Sequence, residues 1–137
     1  MQNRASSWIL SATLFLLTVL FILPSIAQQA TFRNAPASAA ADKNPYAGSA
    51  SAAAAAGKQL YAKDCAQCHG ANLQGMGPAP ALDTPSVRSA KPGELLWFIT
   101  TGKLSSGMPS WANLSVKERW QIVTFLDSRP ATKTATK

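Results

Sequence analysis

The stretch Cys65-Ala66-Gln67-Cys68-His69 decides how the rest of this 137-residue chain is organised. The spacing Cys-x-x-Cys-His places two thiols and one imidazole where all three can serve a single haem. If these residues are helical, the two sulfur atoms lie about one turn apart on one face, and each can form a thioether with a vinyl group of the porphyrin. The motif therefore predicts one haem c, attached covalently through Cys65 and Cys68, with His69 as a ligand of the iron.

Two other chemistries use cysteines at this spacing. A structural zinc site needs four nitrogen or sulfur ligands, but the whole chain contains two cysteines and one histidine. A thioredoxin-like dithiol belongs in a βαβ unit, whereas the residues that flank this motif have helical patterns. A zinc site and a redox dithiol are therefore weaker interpretations than haem attachment.

Residues 1–27 have the pattern of an export signal. Arg4 gives a positively charged start, an almost unbroken apolar run covers 9–23, and Ser25-Ile26-Ala27 offers a small-x-small cleavage site after Pro24. The pattern predicts a periplasmic or otherwise extracytoplasmic protein. The alternative is an uncleaved anchor that associates with the membrane, because the apolar run is close to the length of a spanning helix.

The remaining chain divides by composition into a linker, a folded domain and a tail. Residues 28–51 are rich in Ala, Pro, Ser, Asn and Gly and hold few large apolar side chains, so we predict a flexible linker there. The folded domain spans 52–129, and 130–137 form a disordered tail. No basic stripe interleaved with aromatic residues accompanies the formal net charge of +7, so nucleic acid is not an expected partner.

Helical patterns fill the folded domain, and no strand pattern is present. We predict helices over approximately 52–69, 92–101 and 115–129. Gly57 inside the first helix indicates close backbone contact with another helix. Gly70 and Gly102 suit the ends of the first two helices, and the third begins at a capping box, Ser115-Val116-Lys117-Glu118, and ends at Pro130. The fold class is therefore all-α, and the haem supplements the core of a folded unit under about 80 residues, a size at which a protein core alone is often marginal.

The second axial position of the iron has two candidate ligands. Met108 lies in Ser106-Gly107-Met108-Pro109-Ser110-Trp111, where Gly107 permits close approach to a flat cofactor and Pro109 fixes the backbone beside the sulfur. Met76 lies in the Gly- and Pro-rich loop 71–85, only a few residues from His69, which serves the opposite face of the haem. We predict Met108 as the axial ligand and keep Met76 as the alternative.

Together these features resemble a bacterial class I c-type cytochrome. The resemblance rests on Cys65-Ala66-Gln67-Cys68-His69-Gly70, on Gly57 and Tyr61 before it, on the Gly-Met-Pro-x-Trp stretch at 107–111 and on Leu-Ser-x-x-Glu-Arg-Trp at 114–120. It implies a small cytochrome c fold in which three or more helices surround one haem. It also implies that the first helix packs on the last, with Gly57 and Tyr61 against Ile122 and Phe125.

The resemblance further implies how the site is completed. A proline carbonyl should accept a hydrogen bond from the free ring nitrogen of His69. Pro78 and Pro80 are both candidates, and Pro80-x-Leu82 fits the family spacing better. The candidate partners of the haem propionates are Trp97, Trp111 and Arg88, with plain core and solvated surface as the alternatives for Trp97 and Arg88 respectively.

The predicted function is single-electron transfer outside the cytoplasm, between a donor and an acceptor protein in a respiratory or oxidative chain. The alternative is a haem enzyme or gas sensor in which the methionine ligand is displaced. Against that alternative, His69 is the one histidine of the chain, and no distal acid–base pair stands out in the sequence.

Overall fold

The computed structural model describes residues 35–129, and within them the chain forms five α-helices and no β-strand. The helices are α1 (Ala50–Asp64), α2 (Ala66–His69), α3 (Pro85–Ser89), α4 (Pro92–Thr101) and α5 (Val116–Asp127). Two 3-10 turns, Ala39–Ala41 and Leu104–Ser106, lie outside them. The predicted all-α class is confirmed. The predicted export signal and tail lie outside the described residues, and in the part that is described no helix has the length and apolar character needed to cross a membrane.

Helices α1 and α5 approach each other closely enough for their backbones to touch. A Cβ atom built on Gly57 of α1 would lie 1.9 Å from the carbonyl oxygen of Gln121 and 3.0 Å from the amide nitrogen of Ile122. Farther along the same face, the rings of Tyr61 and Phe125 meet with centroids 5.4 Å apart and planes inclined at 47°. The packing that the family resemblance implied is confirmed, and it requires a residue without a side chain at position 57.

Both ends of α4 and the start of α5 agree with the predicted helix signals, whereas α5 ends at Asp127, before the predicted end at 129. Helix α4 begins at Pro92 and ends at Thr101, followed by Gly102 with a φ of 70°. Helix α5 begins after Ser115, whose Oγ accepts a hydrogen bond from the amide of Glu118 at 3.2 Å. In return, a carboxylate oxygen of Glu118 accepts a hydrogen bond from the amide of Ser115 at 2.8 Å. The predicted capping box is therefore confirmed.

The first predicted helix and the following loop are more elaborate than the sequence indicated. The backbone breaks at Cys65, so the predicted helix over 52–69 forms two helices, α1 and α2. Helix α3 was not predicted, because five residues are too few to show a helical period. Its N-terminus is capped by Thr84, whose Oγ1 accepts a hydrogen bond from the amide of Val87 at 3.3 Å.

Leu73 anchors the irregular loop between α2 and α3. Its side chain is 1% exposed, although its φ of 65° lies in the left-handed region that side chains normally avoid. Its carbonyl accepts hydrogen bonds from the amides of Leu82 at 2.8 Å and Asp83 at 3.3 Å. The loop is irregular, as predicted, but one buried side chain and two backbone hydrogen bonds close it.

Residues 39–46, here called the N-terminal strap, pack on two helices. The carbonyl oxygen of Ala39 would lie 1.9 Å from a Cβ atom at Gly93 of α4, and Ala39 itself is buried. The Nδ2 of Asn44 donates a hydrogen bond of 3.0 Å to Oγ1 of Thr124, a buried residue of α5. Tyr46 adds an aromatic ring to the edge of the core.

The strap differs from the flexible linker that the sequence predicted over 28–51. That prediction rested on the small number of large apolar side chains, which provide most of the free energy of burial. The strap is held instead by small residues that let backbones touch and by hydrogen bonds to a distant helix. Helix α1 also begins at Ala50, slightly before the predicted domain boundary at residue 52.

Replacing Gly57 by alanine should destabilise the folded domain. The added Cβ would overlap the carbonyl of Gln121, so α1 must move off α5, at a cost on the order of 1–3 kcal/mol in the free energy of unfolding. Chemical denaturation of the haem-bound protein measures this cost. Gly48→Ala is the matched control, because a Cβ at Gly48 has nothing within 4 Å. Equal stability of the two variants would contradict the observed helix contact.

Replacing Asn44 by alanine tests whether the N-terminal strap belongs to the folded unit. The change removes the hydrogen bond to Thr124 and should lower the free energy of unfolding by about 1 kcal/mol. Lys43→Ala, at the neighbouring exposed position, is the control and should have no measurable effect. If both variants unfold at the wild-type denaturant concentration, the hydrogen bond of Asn44 does not contribute to stability.

Candidate functional site

The cysteine motif forms a single helical turn that directly follows α1. The carbonyl of Cys65 accepts hydrogen bonds from the amides of Cys68 at 3.1 Å and His69 at 2.9 Å. The turn ends at Gly70, whose φ is 78°. Both thiols are free, with Cys65 partly buried and Cys68 exposed. Two free sulfur atoms one turn apart suit attachment to the two vinyl groups of one haem.

The surroundings of the thiols do not suit the zinc or dithiol interpretations. Burial raises the pKa of the Cys65 thiol to about 11, and electrostatic repulsion from the neighbouring groups Asp64 and Cys68 adds to the effect. A reactive redox cysteine has the opposite shift, because the thiolate is the nucleophile. Over residues 35–129, no group of three or more His, Cys, Asp or Glu side chains is placed to hold a metal ion, so a zinc ion would lack ligands.

The ring of His69 is held by a backbone carbonyl. Its Nδ1 lies 2.9 Å from the carbonyl oxygen of Pro80. A carbonyl oxygen only accepts hydrogen bonds, so Nδ1 carries the proton and Nε2 keeps its lone pair. This is the tautomer that an iron ligand needs, and the contact orients the ring as second-shell partners do in metal sites. Of the two candidate prolines, the structure brings Pro80 rather than Pro78 to the histidine.

The loop that carries Met108 is tied to the end of α4. Lys103 and Met108 exchange two backbone hydrogen bonds, of 2.9 and 3.1 Å, and Gly107 makes the return with a φ of 81°. At the base of the loop, a Cβ atom on Gly102 would lie 2.4 Å from the carbonyl oxygen of Pro109. The Met108 side chain is partly buried. The loop therefore has a defined path, which a weak thioether ligand needs if it is to stay in place.

Met76 lies on a different and more open turn. It exchanges backbone hydrogen bonds of 3.2 and 3.1 Å with Ala79, and its side chain is 53% exposed. The same turn leads directly into Pro80, which contacts His69. Met76 and Pro80 thus lie on one loop, and the choice between Met76 and Met108 as axial ligand stays a prediction.

The three candidate propionate partners have different surroundings. Trp97 is partly buried and makes an edge-to-face contact with Phe98, with centroids 5.0 Å apart and planes at 88°. Trp111 packs against the hydrophobic core. Arg88 forms an ion pair with Asp83 across the start of α3, a contact that sequence reasoning missed. The structure thus gives Arg88 an anionic partner within the chain, and the role of all three toward propionates stays a prediction.

Comparison with known proteins finds a family model and a relative that are similar to this chain. A family model described as cytochrome C oxidase, cbb3-type, subunit III matches residues 52–126. Cytochrome c55X of Pseudomonas aeruginosa is 41% identical to the chain over 58 residues, which are 42% of this chain and 47% of that protein. The chain thus spans about half the length of this curated relative. No solved structure gives a significant match.

Serine substitutions test the attachment of the haem. Cys65→Ser and Cys68→Ser should each leave at most one thioether, because a hydroxyl does not form this bond to a vinyl group. The result is measured as a shifted pyridine haemochrome spectrum and as haem that partly extracts into acidified acetone. Gln67→Ser, between the two cysteines, is the control and should keep all of its haem. Unchanged spectra in either cysteine variant would contradict attachment at two points.

Proposed function

Because the chain belongs to the bacterial c-type cytochromes, which hold a haem c covalently, we propose that it transfers single electrons outside the cytoplasm with His69 and Met108 as the axial ligands. The bound haem supplies one-electron exchange between ferric and ferrous iron. The observation that carries this proposal is the 2.9 Å contact between Nδ1 of His69 and the carbonyl of Pro80. It leaves the other ring nitrogen free to bind iron and holds the ring in one orientation.

Different residues attach the cofactor, orient the histidine ligand and supply the second ligand. Cys65 and Cys68 fix its position covalently, so neither axial ligand has to provide affinity. Pro80 holds His69 in the ligating tautomer. Met108 would supply a thioether, which is a weaker donor than a second imidazole and therefore favours the ferrous state and a comparatively high reduction potential. This division suits a carrier that keeps both ligands while it changes oxidation state.

The partners of such a carrier would be other redox proteins. A carrier must release each partner quickly, so docking should bury a small area and be weak. Proteins of this family are typically extracytoplasmic, and the predicted export signal over 1–27 supports the same location for this chain. Retention of that segment as an anchor would bring the domain to the membrane surface.

A haem enzyme or gas sensor is the second candidate function, and it requires an iron with an open or easily opened position. Reduced wild-type protein exposed to carbon monoxide separates the two functions. A carrier with two protein ligands should bind little carbon monoxide. Rapid and stoichiometric binding by the wild type would favour the enzyme or sensor and contradict the carrier.

Substitution of the two methionines tests the axial assignment. Met108→Ala should open the iron, shift the ferric spectrum toward high spin and allow carbon monoxide to bind the reduced form. Met108→His should keep six ligands and lower the potential, because axial ligand identity accounts for much of the roughly 0.8 V range of haem proteins. Met76→Ala is the control and should resemble the wild type. The assignment is wrong if Met76→Ala opens the iron while Met108→Ala leaves spectrum and potential unchanged.

A further inference from the structure

Thr100, in the last turn of α4, connects three parts of the molecule. Its Oγ1 accepts a hydrogen bond from Nη1 of Arg119 on α5 and donates one of 2.7 Å to the carbonyl of Leu96. Its own carbonyl accepts a hydrogen bond of 2.6 Å from Oγ of Ser110. One residue thus joins the end of α4 to α5 through its side chain and to the Met108 loop through its backbone.

The contacts of Ser110 continue into the loop. Its Oγ also accepts a hydrogen bond from the amide of Ala112 at 3.2 Å, and the amide of Trp111 donates to the carbonyl of Ile99 at 3.1 Å. The residues that follow Met108 are therefore pinned to the last turn of α4. The residues before it are held by the Lys103–Met108 backbone pair described above. The position of the methionine depends on where the end of α4 is held.

Arg119 holds that end of the helix. Its guanidinium is a cation with several N–H donors, and the carbonyl end of a helix favours a cation. The Nε of Arg119 is buried without a hydrogen-bond partner among residues 35–129. A guanidinium that is incompletely satisfied costs stability, so simple packing would be served better by an apolar side chain. The hydrogen bond to Thr100 gives this partly buried cation a defined partner.

We propose that Thr100, held by Arg119, is a positioning residue that fixes the Met108 loop and keeps its sulfur at the iron. The proposal rests on the axial role of Met108 proposed above. Thr100 is linked to the Met108 loop through its carbonyl and Ser110, so it acts through the loop. A thioether is a weak ligand, and the fraction of molecules with the sulfur displaced depends on how tightly the loop is confined. An external ligand that competes for the sixth position measures that fraction.

The experiment titrates imidazole into the ferric, haem-bound protein and its variants. Thr100→Val keeps the shape of the side chain and removes the acceptor of Arg119. Ser110→Ala removes the side-chain hydrogen bond from the loop to the carbonyl of Thr100, at an exposed position. Loss of one hydrogen bond of ordinary strength should raise the apparent affinity for imidazole by about fivefold to tenfold. Amide hydrogen exchange at Lys103 and Met108, which requires no external ligand, should speed up by a similar factor.

Thr124→Val is the matched control for Thr100→Val. Thr124 also donates through Oγ1 to the carbonyl four residues earlier, at 2.8 Å, and is bonded to another segment through Asn44. Its substitution should lower global stability while leaving imidazole affinity and exchange in the Met108 loop unchanged. The proposal is overturned if Thr100→Val and Ser110→Ala leave the affinity at the wild-type value, or if Thr124→Val raises it equally.

Met108→Ala serves as the reference for an open iron in the same titration. If it raises imidazole affinity and Thr100→Val does not, the axial assignment stands and the positioning role fails. If Met108→Ala itself leaves the affinity unchanged, the sixth ligand is not Met108, and both the assignment and the positioning role are wrong. Each pattern of results therefore identifies which proposal has failed.

Discussion

The backbone contact between α1 and α5 at Gly57 is the constraint on which the cofactor site depends. It places Tyr61, farther along α1, beside the end of the cysteine motif. There the tyrosine hydroxyl donates a hydrogen bond of 2.7 Å to the carbonyl of Gly70. Burial raises the pKa of Tyr61 to about 12, so the hydroxyl stays protonated and remains a donor over the whole physiological range. The crossing of two helices thus fixes the end of the turn that carries both cysteines and the histidine.

Helix α4 has a similar constraint at each of its ends. Near its start, Gly93 lies against the carbonyl of Ala39, and just beyond its end, Gly102 lies against the carbonyl of Pro109. Both positions exclude even a methyl group, because the neighbouring atom is backbone and cannot turn away. The helix is therefore held between the N-terminal strap and the Met108 loop. Its side chains fill the core between these points, with Leu95 and Ile99 buried.

Features encoded locally could be predicted from the sequence. The bounds of α4, the capping box at Ser115 and the turn of the cysteine motif each follow from a few adjacent residues. The contact between Gly57 and α5 was implied by family resemblance. The choice between Pro78 and Pro80 was not determined by the sequence, because it depends on the path of an irregular loop and on Leu73 in a backbone conformation that only tertiary packing stabilises.

The unpredicted contacts join residues that are far apart in the chain or carry no distinctive motif. Asn44 and Thr124 are separated by 80 positions, and nothing near either residue signals the other. The contact between Arg119 and Thr100 was not predicted either, because a polar residue at a helix end usually faces solvent. The ion pair of Arg88 with Asp83 lies across an unpredicted helix. Polar contacts of both kinds are decided by the assembled fold, to which local propensity is a weak guide.

Because of the N-terminal strap, the folded domain begins before the boundary of the family match. The family match starts at residue 52, yet the surface of α4 around Gly93 is covered by backbone that precedes this boundary. A unit cut or fused at residue 52 would leave that surface bare and remove the Asn44 partner of Thr124. The segment that the family model matches is thus shorter than the segment that folds as one unit. In this chain, the residues just before the matched boundary are part of the folded body rather than spacer, and any rearrangement that preserves the domain has to carry them along.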